Sequence, residues 1–411
     1  MRIAILSRNP RSYSVRRLRE ASRQRGHEAR VLDTLRFSIM IEHQKPGLYY
    51  RHRSLPHIDA VIPRIGASIT FFGLALVQQF EQMGVHVINP ALAIARSRDK
   101  LRAMQVLSKY DIGLPATAFV RDKDEILPAI NRLGGPPVII KLLEGTQGIG
   151  VILAETTKMA EAIIQTLQLA RQNVLIQKFV AESGGRDIRA FVVGDRVVAA
   201  MRRMARPGEF RSNIHRGATA EAVQLDPIYE TTAIRATQIM GLRLAGVDML
   251  ESNEGPRVLE VNSSPGLEGI EKATHVDIAG AIIEDIQQQV LVPDVDLRQR
   301  LRLTGGYGIA EFAVRNMPHL ADKALRETDL TARNIHVMSI TRRNAVLPNP
   351  KGDEVIREGD VLLCYGELRE LRGLIPPKEP RPEDTAPPTA PDVFDEEGSD
   401  QPDDDAPDGE K

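Results

Sequence analysis

The sequence predicts an α/β body, a small α+β unit behind it and an acidic tail, and three observations carry that reading. Residues 1–95 alternate short apolar strands with amphipathic helices, the pattern of a small Rossmann-like domain. Residues 96–290 open with a helix and then run through a series of apolar strands, one pair of which is clearly a hairpin. Composition then shifts twice, into a linker at 291–306 with a compact β-rich unit at 307–375, and into a Pro-rich acidic segment at 376–411.

Taken in order, residues 2–6 are an apolar strand, 14–24 a basic amphipathic helix and 29–32 a second strand. Strands at 59–63 and 86–88 flank a helix at 71–83. The first turn, LSRNPRSYS, contains no G-x-G-x-x-G, so backbone cannot approach a pyrophosphate there and a dinucleotide is excluded. A helix at 99–109 precedes the runs PPVIIKLL, NVLIQKFV, RAFVVGDRVVAAMR, with its Gly-Asp turn, and AGVDMLESNEGPRVLEVN. The unit at 307–375 places β-rich segments around a short helix and ends in GDVLLCYG followed by a helical ELRELRGLI. The last 36 residues hold nine prolines and 13 acids, too little apolar surface to offset ordering entropy, so disorder is expected there.

Composition narrows the function classes. At 411 residues and 42% apolar content the chain has the mass for two to four domain cores. No run approaches the ~20 apolar residues of a membrane span, and MRIAILSR lacks a cleavage pattern, so a cytoplasmic protein without a membrane partner is expected. Cys364 is the only cysteine, which rules out an internal disulfide and a cysteine-based zinc site; a small buried strand residue is expected. The tail has 13 acids and 3 bases, so the net −1 of the chain leaves +9 on the body. That surplus suits a surface receiving phosphates or an acidic polypeptide, or else is a scattered solvated surface.

Three oxygen-bearing side chains, Asp248, Glu260 and Asn262, stand inside the apolar runs VDML and RVLEVN. Buried carboxylates require a partner or a metal. With the SNEGP turn centred near Glu254, antiparallel pairing sets Asp248 opposite Glu260, and Asn262 shares a strand face with Glu260. Such an all-oxygen set with few protein ligands suits Mg²⁺, or Mn²⁺ in its place, completed by water and phosphate.

Lys141 ends PPVIIK and precedes LLEGTQGIGVIL, where Gly145, Gly148 and Gly150 permit close approach of backbone to phosphate. The loop is not a P-loop, since Val151 follows its last glycine, and not kinase-like, since the lysine comes before the glycines. Alone it is equally a tight hairpin connection, and its neighbours decide. The strand VLIQKFV offers main-chain groups to an adenine edge, with Phe179 and Ile140 as apolar faces, and Asp187 as an acceptor for a ribose hydroxyl. FRSNIHRGATA concentrates Arg211, Asn213, His215 and Arg216, a suitable set for phosphate and carboxylate oxygens. His215 reads as an exposed loop histidine before a catalytic base.

The ordered series Lys141, EGTQGIGV, IQKFV, RDIRAFVVGD, FRSNIHRG, AGVDML and LEVNSSPGLEGIE resembles the RimK-type ATP-grasp ligases, the α-L-glutamate ligases that modify the C-terminus of a small-subunit ribosomal protein. PRIGASITFFG and IARSRDKLRAMQVL extend the resemblance over residues 1–290. It implies a pre-ATP-grasp domain at 1–95 and an ATP-grasp domain at 96–290. It further implies ATP contacts at Lys141, Asp187, Arg211, Ser212 and Asn213, an adenine hinge at Lys178 and Phe179, and a phosphate-facing Lys100. Asp248, Glu260 and Asn262 take the role of metal ligands for two metal ions. Lys178 departs from the family, which usually carries an acid there. The implied reaction joins L-glutamate to a carboxylate through an acyl phosphate, with Lys141 and Arg211 as catalytic residues and a ribosomal protein tail or other acidic acceptor as partner, without direct need of nucleic acid. A ligase for free polyglutamate or a small molecule shares these motifs; a nucleotide-binding regulator without turnover fits less well with an intact Lys141, Asp248, Glu260 and Asn262.

Residues 307–375, through IHVMSITRRNAVLPNPKGDEVIREGDVLLCYGE, resemble the small C-terminal domain of regulatory subunits of potassium transport systems (TrkA-C/RCK-C type). This implies ligand sensing or subunit contact. A unit of about 70 residues has a marginal core, so pairing with a second copy, a homo-oligomer, is expected.

Overall fold

The computed structural model describes residues 1–374 apart from 44–45, 56, 144–149, 207–208, 211–216, 292–306, 316 and 344. The glycine loop at Gly145 and Gly148, the linker, the acidic tail at 376–411 and the segment holding Arg211, Ser212, Asn213, His215 and Arg216 lie outside the described residues. The chain divides into two compact units, Met1–Asp294 and Val295–Lys411. Among the described residues no helix is long and apolar enough to cross a membrane.

The first unit begins with a four-stranded parallel sheet in the spatial order Glu28–Leu32, Arg2–Leu6, Ala60–Pro63, His86–Val87. Alternation along Arg2–Leu6 feeds two cores. Ile3 and Ile5 join Val15, Leu18 and Ala21 of the helix Tyr13–Gln24, while Ala4 and Leu6 join Leu76, Val77 and Phe80 of the helix Thr70–Gln82. An antiparallel patch that the sequence reading did not anticipate, Phe37–Met40, Gly47–Tyr50 and Arg53–Ser54, follows the second strand.

Two antiparallel sheets follow. One has the order Val151–Ala154, Val138–Leu142, Val174–Lys178, Thr117–Phe119. Val138, Ile140, Val174 and Ile176 turn to the helices Ile126–Arg132 and Thr157–Leu169. The other has the order Thr219–Ala222, Arg196–Met204, Arg186–Val193, Leu244–Ser252, Gly255–Asn262. The period of two divides its central strands. Ile188, Ala190, Val192, Val247 and Met249 pack on the helix Pro227–Met240, which Pro227 starts and the left-handed Gly241 stops. On the opposite face, Phe191, Val193 and Leu244 join the core shared with Ile3 and with the helix Ile278–Leu291, whereas Asp187, Arg189 and Asp248 are charged. One face of one sheet therefore serves as core at one end and as a polar site at the other.

The second unit is a four-stranded antiparallel sheet, Tyr307–Ala313, Val361–Glu367, His336–Arg342, Ala345–Pro348, with the helix Leu368–Arg372. Phe312, Ile340, Leu362, Cys364 and Leu371 lie in its core. Burial pushes the Cys364 thiol up to about 12, so it packs as an inert small apolar residue. Asp360 is buried and accepts two hydrogen bonds from Arg342.

Candidate active site

A cleft lies between the two antiparallel sheets of the first unit. Ile139, Lys141, Val151, Leu175 and Gln177 form one wall; Asp248, Leu250, Leu259 and Glu260 form the other. Lys178, Phe179, Val180 and Ser183 close one end, where the chain leaves its strand. An apolar slot with a few converging charges is the makeup of a nucleotide site.

Lys141 reaches the cleft because it shares a strand face with Ile139. The same alternation corrects one expectation: Ile140 is fully buried against the helices behind the sheet, and Ile139 supplies the apolar face. Gly150 closes the loop with φ +79°, and a Cβ there would run into Leu142, so the turn after Lys141 requires glycine. Lys100 opens the helix Lys100–Ser108, capped by Asp99, whose carboxylate accepts from Arg102 N at 3.0 Å. Its Nζ donates to Leu142 O at 3.0 Å, and Met104, one turn on, also lines the cleft. Burial pulls the Lys141 ammonium down to about 8, assisted by Lys100 and opposed by Glu260 and Asp248; burial also lowers Lys100.

Asp248 lies opposite Glu260, and Gly246 opposite Asn262. The turn itself is centred one half-residue earlier than expected, with Ser252 opposite Gly255, and an irregularity between Asp248 and Met249 makes up the difference. This bulge lets the neighbours Leu259 and Glu260 both line the cleft, which regular alternation forbids.

The acidic groups are not equivalent. Asp248 receives two hydrogen bonds from Arg189, both 2.6 Å, and Arg203 Nη2 lies 2.9 Å away. Burial raises its pKa, but the two guanidinium groups outweigh that and hold it well below the carboxylate range. Arg203 in turn clamps Asp187 with two 2.6 Å bonds. Asp187 is therefore buried in this chain of charges and is not among the cleft-lining residues. Glu260 is exposed, makes no ion pair among the described residues, and accepts from Asn262 Nδ2 at 3.0 Å. Arg189 and Arg203 escaped the sequence reading: the hairpin turn at Gly194 alone would set Asp187 opposite Arg202, and an irregularity between Phe191 and Val192 brings it opposite Arg203 instead.

Among the described residues no three His, Cys, Asp or Glu side chains converge as a metal cage. Two carboxylates and one amide do converge, all hard oxygen donors, and Glu260 is the carboxylate that no arginine among the described residues clamps. These residues fit a divalent cation that takes its remaining ligands from phosphate and water. Lys178 is exposed, and its backbone N–H donates to Ala116 O at 2.8 Å.

Two sheets gripping a cleft, with a lysine on one wall and carboxylates on the other, define an ATP-grasp ligase, an enzyme that uses ATP with a divalent cation. Residues 97–286 match the RimK-like ATP-grasp domain, 1–94 the RimK pre-ATP-grasp domain and 309–375 the TrkA-C domain. A protein of Rhodopirellula baltica named probable alpha-L-glutamate ligase is 59% identical over 378 residues, 92% of this chain and 93% of the relative. One of the same name from Pseudomonas entomophila is 57% identical over 288 residues, 70% of this chain but 96% of the relative. Among solved structures, the ATP-grasp ligase PsnB complexed with minimal precursor, Mg and ADP aligns with TM-score 0.57 and 22% identity, covering 70% of this chain and 98% of that one. The macrocyclase MdnC from Microcystis aeruginosa, bound with precursor peptide MdnA, gives 0.55 and 15%, covering 70% and 99%. Those two likenesses show the fold. The chain belongs to the RimK-like ATP-grasp family of α-L-glutamate ligases.

Proposed function

We propose that the protein adds L-glutamate to the C-terminal carboxyl of a polypeptide, a small-subunit ribosomal protein or another acidic acceptor, through an acyl phosphate. The observation that carries this reading is the opposition of Lys141 to Glu260 and Asp248 across one cleft. The acceptor carboxylate attacks the γ-phosphorus of ATP, ADP leaves, and the glutamate amine displaces phosphate from the acyl carbon. Lys141 and Lys100 bring positive charge to the phosphates, and Arg211 takes the charge that develops at the reacting centre. Ile139, Leu175 and Phe179 hold the base; the hinge at Lys178 works through its main chain, since its side chain is exposed. Ser212 and Asn213 are assigned to ATP with Arg211. Asp187 serves ATP indirectly in this reading, by fixing Arg203 and through it Asp248.

Asp248, Glu260 and Asn262 would hold two divalent cations, Mg²⁺ or Mn²⁺, which when bound neutralise phosphate charge. That PsnB was crystallised with Mg, ADP and a minimal precursor supports this choice of ligands. The cytoplasm, where ATP and ribosomal proteins are made available, is the proposed location. The test is to incubate the protein with ATP, Mg²⁺, each amino acid and a peptide carrying the acceptor tail, and to weigh the products. One glutamate residue or more on the peptide, with ADP and phosphate, is expected; AMP and pyrophosphate would mean an acyl adenylate and overturn the mechanism.

The 307–375 unit is assigned to regulation and self-association, because every residue placed at ATP or metal precedes Ser263 and the Pseudomonas relative is spanned almost whole by 288 residues. Exposed Val346 and Leu347 on the edge strand Ala345–Pro348 support pairing with a second copy. The chain ended after Asp294 should retain basal ligation within about twofold while losing oligomerisation or effector response. If it binds ATP and forms no product, the second unit belongs to the active site.

A further inference from the structure

The first sheet has a switch point that the ATP site does not use. Its helices Tyr13–Gln24 and Thr70–Gln82 lie on opposite faces, so the chain reverses direction between the strands Arg2–Leu6 and Ala60–Pro63. In open parallel sheets the carboxyl ends of the strands at such a switch point bind ligands. Arg64 stands there, its N–H bonded to Leu6 O.

The large sheet reaches the same place. Gly246 leaves room for Pro265, against which any Cβ would collide, and so the chain folds back after Asn262. Ser264 Oγ then donates to Pro63 O at 3.3 Å, and Arg64 Nη1 donates to Pro265 O at 2.7 Å. Arg98, two residues before the cleft-lining Lys100, donates to Ile65 O. Both arginines are half-buried, and among the described residues neither forms an ion pair with a carboxylate. Arg98 Nε is buried without a hydrogen-bond partner. Burial and the charge of Arg98 bring Arg64 down to about 10, and burial lowers Arg98. Both remain cations at neutral pH. Around them Gly66 and Gly266 border open space, and neither has the positive φ that would require glycine. Glycine there keeps backbone accessible to a ligand.

Two half-buried guanidinium groups with spare donors and, among the described residues, no paired carboxylate call for a dianionic ligand. We infer that Arg64 and Arg98 hold the carboxylates of the incoming α-amino dicarboxylate and make its recognition selective for an acid over an amide. The inference rests on reading the chain as a glutamate ligase. Of the two substrates the incoming amino acid is the one that keeps both carboxylates through the reaction, so fixed cations can grip it throughout. The acceptor carboxylate is consumed and must face the phosphate near Lys141.

The test uses the full chain with ATP, Mg²⁺ and an acidic peptide, and compares L-glutamate with L-glutamine as donor. In Arg64→Gln and Arg98→Gln the glutamate KM should rise roughly 10- to 100-fold, the range for losing a charge-assisted pair. The preference for glutamate over glutamine should collapse in at least one of them, with the ATP KM unchanged. A merely structural role would not move that preference. If the Gln variants do not fold, Arg64→Lys and Arg98→Lys keep a charge and a donor for the two carbonyls. An unchanged glutamate KM in both, or a rise confined to the peptide KM, overturns the inference. Wild type that adds no glutamate would instead remove the parent reading.

Discussion

Replacing Glu260 by Gln should abolish most ligation, a loss on the order of 10²–10³ in rate, while the fold stays intact. The rate loss follows from removing one hard anionic ligand from a set of three, since a bound cation contributes several kcal/mol of charge stabilisation to phosphoryl transfer. Stability should change by no more than about 0.5 kcal/mol, because Glu260 is exposed and makes no ion pair among the described residues. Asp248 gives a different result. Its carboxylate compensates Arg189 and Arg203, whose side chains are 18% and 5% exposed, so Asp248→Ala leaves two buried cations short of their partner. That should cost about 3–5 kcal/mol, and loss of activity would then mix unfolding with loss of the metal. Measuring turnover against Mg²⁺ concentration together with a melting curve separates the two. Unchanged Mg²⁺-dependent turnover in Glu260→Gln would remove the metal assignment.

The contrast between these two carboxylates marks how far the sequence could be read. Apolar runs interrupted by Asp248, Glu260 and Asn262 revealed that a polar site lay inside strands, and hairpin pairing placed the first two face to face. The pairing survived because of a bulge that no periodicity announces: with regular alternation from Ser252 and Gly255, Asp248 would have met Leu259. Asp187 illustrates a different gap. Its residue type and position suggested a ribose acceptor, but its surroundings depend on Arg203, sixteen residues on and brought beside it only by the neighbouring strand. Ile139 and Ile140 were decidable from the period of two, once Lys141 was taken to face the cleft. The patch from Phe37 to Ser54 was not, because its strands of two to four residues carry too little pattern to register. Arg64 and Arg98 stood in motifs that marked the family without a role. Their meaning depends on their standing together without a paired carboxylate among the described residues, a property of three dimensions.

ATP binding should weaken as pH rises through about 8, and Lys141 should be the cause. Its ordinary value of 10.5 is brought down to about 8 in the folded protein, first by burial and then by Lys100, against the pull of Glu260 and Asp248. Between pH 8 and 10.5 the unfolded chain therefore holds a proton that the folded chain has released, so this residue adds stability as pH climbs through that window and opposes folding below it. Nucleotide phosphates favour the opposite state, the charged ammonium. Binding ATP above pH 8 must draw a proton in, and the apparent Kd should rise by up to roughly tenfold per pH unit there, while staying flat below pH 8 on account of this group. Lys100 is also lowered by burial, so it needs its own control. Arg is not deprotonated in this range. Lys141→Arg should accordingly bind with a flat profile up to pH 9.5, Lys100→Arg should keep the wild-type slope, and Lys141→Met should bind weakly throughout. Titrating each protein with ATP between pH 6.5 and 9.5 decides the point: if Lys141→Arg retains the wild-type slope, the proton belongs to another group and Lys141 does not face the phosphates as a charge poised by burial.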